Sequence, residues 1–268
     1  MNQREREFIA LVWDHYQAYG RHDLPWRKTT DPYLIAVSEL MLQQTQVARV
    51  IPKFEAFTGQ WPTVERLAAA PLGEVLRAWQ GLGYNRRAKM LHQCARLINT
   101  ERAGKWPQSH IDLQQLPGIG AYTAGAIMAF AYNKPVAVLE TNIRTVYLHH
   151  FFRRRHDVTD AELKQVVVRT LDETRPREWY WALMDYGAHL KRTVGNQNHR
   201  IRSYSKQSRF KGSDREIRGA IIRALSLGPH STNALHRLGF DRERLLTQLD
   251  RLTAEGLIVK AKRSYRLP

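Results

Sequence analysis

The chain has 268 residues, 43% of them hydrophobic, which is enough for a sizeable core and excludes a largely disordered protein. Lys and Arg number 42 against 25 Asp and Glu, a formal net charge of +17. Such an excess indicates a polyanionic partner, most simply nucleic acid. An anionic membrane surface is the competing interpretation. The sequence shows no long apolar span, signal peptide or anchor, so we expect no membrane association.

The single cysteine, Cys94, excludes an internal disulfide and any metal or iron–sulfur site built only from cysteines. We expect a cytoplasmic, nucleoid-associated protein. The charge is uneven along the chain, since residues 189–268 carry 18 basic and 6 acidic side chains. The C-terminal part is therefore the stronger candidate for contact with a polyanion.

Helical periodicity dominates the first part of the chain, which we predict to be all-α with short loops. Phe8 and Val12 belong to an amphipathic helix over 2–19, and Asp31-Pro32 opens a helix that runs to about Thr45. Further helices are predicted near 47–58, 63–69, 72–79, 85–99, 111–115, 122–131, 142–152, 159–173 and 177–191. No segment before residue 255 alternates convincingly as a strand.

The C-terminal part changes character twice. Residues 191–213 contain seven basic residues and no acidic one, which indicates either a DNA-backbone arm or a solvated flexible connector. Helices are then predicted at 214–227, 231–239 and 241–255, followed by a basic strand–turn–strand. Three helices and a hairpin make a winged helix-turn-helix, with 241–255 as its recognition helix. Such modules also serve in protein contacts, so both roles stay open.

A Gly-x-Gly turn lies between two predicted helices, in Leu116-Pro117-Gly118-Ile119-Gly120. Two glycines let the backbone approach a ligand closely, and the next helix points free N–H groups outward. Such a helix-hairpin-helix binds one DNA phosphate without any side chain. An ordinary helix–helix connection is the alternative.

Two carboxylates are candidates for chemistry. Glu140 follows an apolar run and precedes Thr141, a predicted N-cap, where the helix dipole favours an anion. Glu39 shares a helix face with apolar residues, so it is either exposed or desolvated, and desolvation would make it a proton donor. A protonated Glu39 and an ionised Glu140 would divide the roles of acid and charge stabiliser. A plain helix-terminal charge is the alternative for Glu140.

Five motifs occur in the order found in one known family: LPWR at 24–27, SELMLQQTQV at 38–47, GLGY at 81–84, LPGIGAYTAGA at 116–126 and MDYG at 184–187. In these motifs the chain strongly resembles the MutY family of adenine DNA glycosylases over roughly residues 5–190. That family belongs to the helix-hairpin-helix DNA glycosylases. The resemblance implies an all-α fold of two helical lobes with the active site between them.

The resemblance also implies the roles of the catalytic residues. Glu39 matches the acid that protonates N7 of an extruded adenine, and Glu140 matches an aspartate that stabilises the oxocarbenium-like sugar. Tyr122 and Asn142 match partners of that site. Because Tyr122 occupies the position at which bifunctional members carry a lysine nucleophile, a monofunctional enzyme without lyase activity is expected. The base pocket is matched by Trp26, Arg27 and Asp185.

The remaining matches concern DNA. Gln44 and Tyr84 match residues that enter the base stack when the base is extruded, which the chemistry requires. The resemblance further implies DNA contacts for Gln43, Thr45, Leu82, Gly118 and Gly120. It implies a double-stranded DNA substrate with a mispaired or damaged base, a monomer, and room for a structural monovalent cation at the hairpin.

Three departures from the family pattern stand out. The aspartate is replaced by Glu140, whose carboxylate lies one methylene, about 1.5 Å, further out. The four-cysteine iron–sulfur cluster of most relatives is absent, and the basic segment 191–213 stands in its place. A predicted winged helix replaces the C-terminal domain with which MutY recognises 8-oxoguanine.

The sequence therefore predicts three parts: a glycosylase domain at 1–190, a basic arm at 191–213 and a winged helix at 214–268. We expect a cofactor-free, monofunctional glycosylase that removes a mispaired base, most simply adenine opposite 8-oxoguanine or guanine. Two alternatives stay open: excision of thymine or uracil opposite guanine, and a catalytically weak lesion-binding protein.

Overall fold

A computed structural model describes all 268 residues. The chain divides into two compact units, each assembled from separated stretches of sequence. Unit 1 consists of Met1–Ala36, Pro107–Gln115 and Ile119–Lys206. Unit 2 consists of Val37–Trp106, Leu116–Gly118 and Gln207–Pro268. The C-terminal residues thus belong to the same unit as the helices that follow residue 37.

The predicted helices are all present. Eleven lie before residue 194: α1 Gln3–Tyr19, α2 Pro32–Leu42, α3 Val47–Gln60, α4 Val64–Ala69, α5 Leu72–Ala78, α6 Arg86–Arg102, α7 His110–Gln114, α8 Ala121–Phe130, α9 Thr141–Phe151, α10 Asp160–Thr170 and α11 Pro176–Thr193. The rest form the C-terminal module: α12 Asp214–Ser226, β1 His230–Ser231, α13 Thr232–His236, α14 Arg242–Ala254, β2 Val259–Ala261 and β3 Ser264–Arg266. None of the helices is both long and apolar enough to cross a membrane.

Unit 1 is built on the packing of α1, α9 and α11. Phe8 of α1 lies 5.4 Å from the ring of Tyr147 on α9 and 6.2 Å from that of Trp179 on α11, measured between centroids. Such aromatic contacts add to the burial of large apolar surfaces. Gly187 lets α11 approach α9 closely, because a Cβ at this position would lie 2.3 Å from the backbone oxygen of Asn142. The N-terminus of α9 is therefore fixed against α11 by backbone contact.

The segment after α11 contacts both ends of α9. Buried Asn198 donates from Nδ2 to the Thr141 backbone carbonyl at 3.0 Å and to the Thr145 hydroxyl at 3.1 Å. At the other end, Arg200 donates to the carbonyls of Phe152 and Arg153 at 2.9 and 2.8 Å. An arginine at a helix C-terminus satisfies carbonyls that have no partner within the helix. This part of the basic segment is an ordered clamp rather than an irregular linker.

The C-terminal module has the topology of a winged helix. Its sheet has the antiparallel order β1-β3-β2, and Tyr265 on β3 pairs with His230 and Lys260. The prediction of three helices and a basic hairpin is confirmed, but β1 was missed. A two-residue strand is too short to show alternation in the sequence.

The module packs on the helices of unit 2. A Cβ at Gly73 of α5 would lie 2.5 Å from the backbone oxygen of Pro268. Arg77 donates to the Ser226 carbonyl at 3.2 Å, and Lys89 donates to that of Glu255. The module is thus part of unit 2 and not an appendage on a flexible tether.

Two predicted helix ends were wrong. The helix opened at Pro32 ends at Leu42 and not at Thr45, and a turn follows it. α11 continues to Thr193, so the first residues assigned to the basic arm are helical. Lys191 and Arg192 in its last turn complement the negative end of the helix dipole, which favours this extension.

We predict that Gly187→Ala destabilises the protein, because its methyl group would collide with the backbone at Asn142. Overpacking of this kind costs about 1–3 kcal/mol of unfolding free energy. Urea denaturation measures the change. Gly59→Ala is the matched control, because a Cβ there meets nothing within 4 Å. Equal stability of the two variants would contradict the proposed close approach of the helices.

Candidate active site and DNA interface

Glu140 forms the N-cap of α9 and binds its first turn through both carboxylate oxygens. Oε1 accepts from the backbone N–H groups of Asn142 and Ile143 at 2.6 and 2.8 Å. Oε2 accepts from the Thr141 hydroxyl and from the Asn142 amide, each at 3.2 Å. N–H donors and the positive end of the helix dipole stabilise an anion at this point. The carboxylate is therefore half-buried and held in one defined orientation.

The prediction that Thr141 is the N-cap was wrong. Thr141 is the first helical residue, and Glu140 takes the capping role because its longer side chain folds back onto the helix. The extra methylene thus does not leave the carboxylate free in front of the helix. An aspartate would reach the same N–H groups without that fold, as N-cap aspartates usually do.

Two residues of α11 fix the surroundings of Glu140. The Tyr180 hydroxyl accepts from the Val138 N–H at 3.0 Å and donates to the Val136 carbonyl at 2.6 Å, which fixes the apolar run before Glu140. Lys191 Nζ donates to the Thr141 hydroxyl at 2.8 Å. Burial lowers the pKa of the Lys191 ammonium, while the charge of Glu140 acts in the opposite direction. Lys191 therefore adds a cation that is linked to the carboxylate through the Thr141 hydroxyl.

The Gly-x-Gly turn connects α7 to α8. Gly118 has a φ of +80°, and a Cβ there would lie 2.7 Å from the Met90 Cβ, so glycine is required on both grounds. Gly120 has an ordinary φ of −84° and open space at its Cβ position. It is the N-cap of α8 and offers no side-chain cap. Tyr122 lies in the first turn of α8 and is half-buried.

Glu39 lies in the middle of α2 and is 5% exposed. Of the two alternatives for this carboxylate, the structure shows the desolvated one. The neighbours along the helix are buried as well: Val37, Ser38, Leu40 and Met41. Removal of a carboxylate from water by itself works against its charged form.

Arg87 on α6 secures the end of the helix that carries Glu39. It donates to the carbonyls of Leu40 and Gln43 at 2.5 and 2.6 Å, and to those of Leu82 and Gly83 at 3.0 Å each. Burial lowers the pKa of Arg87 to about 10, so it stays charged at neutral pH. One guanidinium thus joins the C-terminus of α2 to the Gly81–Tyr84 loop.

The predicted stack-entering residues lie on this joined surface. Gln44 and Tyr84 both adopt left-handed backbone conformations, with φ of 55° and 49°. Left-handed φ is unfavourable for residues with a Cβ and persists where the surroundings fix it. The Thr45 hydroxyl donates to the Leu82 carbonyl at 3.4 Å. The structure therefore brings together Gln43, Gln44, Thr45, Leu82 and Tyr84, as the resemblance implied.

The residues predicted for the base pocket form a buried ion pair in unit 1. Arg27 binds Asp185 with two parallel hydrogen bonds of 2.7 and 2.9 Å, and Arg21 adds a bond from Nε at 2.7 Å. Burial alone would raise the pKa of the Asp185 carboxyl, but the hydrogen bonds and charge of Arg27 hold it below its usual value. Trp26 is buried in the same turn. This cluster fixes the Leu24–Arg27 turn to α11.

Several residues of these sites were missed in the sequence. Arg87 lies three residues after the GLGY motif, but nothing in its neighbours predicts contacts with the end of α2. Lys191 and Asn198 lie in the segment interpreted as a linker. Gln207 and Arg215 were missed as well, and both contact Tyr84. The one sequence signal for such contacts is the excess of arginine over lysine in the C-terminal part, because arginine forms fixed, multidentate hydrogen bonds.

Comparison with known proteins identifies the family. The family model "HhH-GPD superfamily base excision DNA repair protein" matches residues 37–169. An adenine DNA glycosylase of Mycolicibacterium smegmatis is 37% identical over 279 aligned positions, covering 92% of this chain and 90% of the relative. The chain belongs to the adenine DNA glycosylase family. The resemblance seen in the five sequence motifs is thereby confirmed.

Other members and structures agree with this assignment. An adenine DNA glycosylase of Mycobacterium tuberculosis is 42% identical, and the match covers 66% of this chain and 59% of that protein. The structure of a thermostable thymine-DNA glycosylase matches with a TM-score of 0.63 at 25% identity, covering 70% of this chain and 87% of the other. The predicted helix-hairpin-helix glycosylase fold is confirmed.

We predict that Arg87→Lys loosens the C-terminus of α2, because an ammonium cannot satisfy carbonyls on both α2 and the Gly81–Tyr84 loop. Buried carbonyls left unpaired cost about 1–3 kcal/mol of unfolding free energy. Hydrogen exchange at the Thr45 amide, which donates to the Leu42 carbonyl at 3.1 Å, should become faster. Arg96→Lys, exposed on the same helix, is the control and should change neither quantity. Unchanged exchange in Arg87→Lys would refute the joining role.

Proposed function

We propose that the protein is a monofunctional adenine DNA glycosylase of base excision repair, acting on adenine opposite 8-oxoguanine or guanine. The observation that carries this proposal is the pair of unlike carboxylates: Glu39 is buried in α2, and Glu140 is half-buried and caps the N-terminus of α9. Two carboxylates whose surroundings differ in this way can divide the roles of proton donor and charge stabiliser.

Glu39 takes the role of general acid in this proposal. Protonation at N7 makes the adenine a neutral leaving group, so the glycosidic electron pair can depart with the base. A positioned acid contributes about 10²–10⁴-fold to a rate. Because pyrimidines have no N7, this role favours adenine over thymine or uracil. The second candidate, excision of thymine opposite guanine, is supported by the similarity to the thymine-DNA glycosylase structure.

Glu140 stabilises the cationic sugar that forms as the bond breaks, and it helps water to add at C1′. Its four hydrogen bonds keep it oriented without any change at the moment of reaction. Asn142 contributes both its backbone N–H and its side-chain amide to this anchoring. Tyr122 stands where bifunctional relatives have their lysine, so no covalent amine intermediate is part of the mechanism.

Recognition of DNA is assigned to three surfaces. We infer that Gly118 and Gly120 present the first turn of α8 to a backbone phosphate. Gln44 and Tyr84 enter the stack, with Gln43, Thr45 and Leu82 beside them. Trp26 belongs to the base pocket, and the Arg27–Asp185 pair gives that pocket its rigid wall. A chromosomal substrate places the protein in the cytoplasm with the nucleoid.

We further infer that the protein works without the four-cysteine iron–sulfur cluster, because the chain contains one cysteine. That thiol, Cys94, is buried in α6, and burial raises its pKa to about 12, which disfavours the thiolate that binds metals. In this chain the residues after α11 hold α9 by hydrogen bonds instead, through Asn198 and Arg200.

Single-turnover kinetics with Glu39→Gln tests the proposed acid. The amide keeps the shape of the side chain but cannot protonate N7, so adenine release should fall at least 100-fold. Binding of the duplex should change only a few-fold. Glu55→Gln, exposed on α3, is the control and should retain the parent rate. An unchanged rate for Glu39→Gln would remove the assignment.

A further inference from the structure

The arm and the winged helix contact the two residues assigned to the base stack. Gln207 Nε2 donates to Gln44 Oε1 at 2.7 Å and also to the Tyr84 hydroxyl. Arg215 Nη1 donates to the same hydroxyl at 2.8 Å, and its guanidinium lies 5.8 Å from the Tyr84 ring centroid. Because all four residues belong to unit 2, these contacts are internal to one compact body.

Arg215 occupies an unusual position for a cation. It lies in the first turn of α12, where the helix dipole disfavours positive charge. Its other nitrogen donates to the Ser208 carbonyl at 2.6 Å and to the Ser208 hydroxyl at 3.2 Å. Arg215 therefore connects the arm to Tyr84. The stability of α12 does not require these contacts.

These contacts border a cavity of about 810 Å³ within unit 2. Six arginines line it against a single carboxylate, Glu255, which is neutralised by Arg218 at 2.7 Å. The arginines are Arg49, Arg86, Arg87, Arg215, Arg218 and Arg223. The cavity is large enough for a nucleotide, and its charge suits a phosphate backbone.

Phe210 adds an aromatic surface to this cavity. Its side chain lines the cavity and is 58% exposed. Exposed aromatic rings beside cationic side chains are the common device for stacking an unpaired base. An unpaired base with its phosphates therefore matches both features of the cavity.

We propose that this cavity binds the nucleotide opposite the excised base, and that Gln207 and Arg215 recognise that base as a guanine-type purine. The proposal rests on the proposed function, because extrusion of one base leaves its partner unpaired beside Gln44 and Tyr84. The winged-helix module thereby supplies opposite-base recognition in this chain. Its own helices and arm carry the residues that do so.

The chemistry of the two side chains fits guanine. Arginine binds the O6 and N7 acceptors of guanine with two parallel hydrogen bonds. Arg215 makes them in this proposal by turning Nη2 from the Ser208 carbonyl to the base. Gln207 uses its N–H groups on Gln44 and Tyr84, so its carbonyl oxygen is the acceptor for a base edge. Guanine offers N–H donors at N1 and N2. In 8-oxoguanine N7 carries a hydrogen and is no longer an acceptor, so Arg215 keeps the O6 contact alone. Cytosine has no O6–N7 acceptor pair, and its only N–H donor is the N4 amino group.

Binding to product-like duplexes tests the proposal separately from catalysis. The full-length protein is titrated with duplexes that hold a tetrahydrofuran abasic analogue opposite guanine, 8-oxoguanine or cytosine. The parent should prefer the two guanine-type duplexes over the cytosine duplex by at least tenfold. Gln207→Ala and Arg215→Ala should each reduce that preference about tenfold, as loss of a base contact does. Arg215→Lys keeps the positive charge but lacks the planar pair of N–H donors. It should therefore also lose the preference for the guanine-type duplexes.

Arg237→Ala is the matched control, an exposed arginine of the same module outside the cavity, and should keep the parent preference. A parent without preference, or variants that keep it, would overturn the proposal. Tighter binding of all duplexes by Gln207→Ala would also overturn it and identify the contact as a latch. Adenine release is measured in parallel. A parent that releases no adenine, with variants that still lose the guanine preference, would refute the proposed function alone.

Discussion

The contacts that fix the N-terminus of α9 also orient the Glu140 carboxylate. Gly187 allows α11 to touch the backbone at Asn142, and Asn198 and Arg200 hold α9 at its two ends. Glu140 then completes the helix with a carboxylate whose hydrogen bonds all come from the first turn. Because the same contacts fix the helix and orient Glu140, a change in helix packing would displace its carboxylate directly. The side chain is held by the helix end and not by its own rigidity.

In unit 2, one arginine supports two separate segments of the chain. Arg87 satisfies carbonyls at the end of α2 and in the Gly81–Tyr84 loop, so the buried acid and the stack-entering residues share a single support. The winged-helix module is packed on the same unit through Gly73, Arg77 and Lys89. The module therefore belongs to the same compact unit as Gln44 and Tyr84.

The sequence predicted the helices, the hairpin and the winged helix because periodicity and Gly-Pro punctuation are local signals. The resemblance of five motifs supplied the family, which comparison with known proteins confirmed. Other features depend on contacts distant in sequence. Asn198 was placed in a linker because its partners, Thr141 and Thr145, lie more than fifty residues away. Glu140 was not predicted as the N-cap, because glutamate rarely takes that role and only the helix geometry shows it doing so. Arg87, Gln207 and Arg215 carry no local pattern at all.

The central claim is that an acid suited to N7 and a capped anion make this chain an adenine glycosylase. A single-turnover panel with the parent protein tests it, using duplexes with adenine opposite 8-oxoguanine, adenine opposite guanine, thymine opposite guanine and uracil opposite guanine. Alkali cleavage after incubation reports each abasic product. The account predicts cleavage of the two adenine duplexes at least 100-fold faster than of the pyrimidine duplexes. Faster release of thymine or uracil, or turnover that appears only with Glu140→Asp, would contradict it.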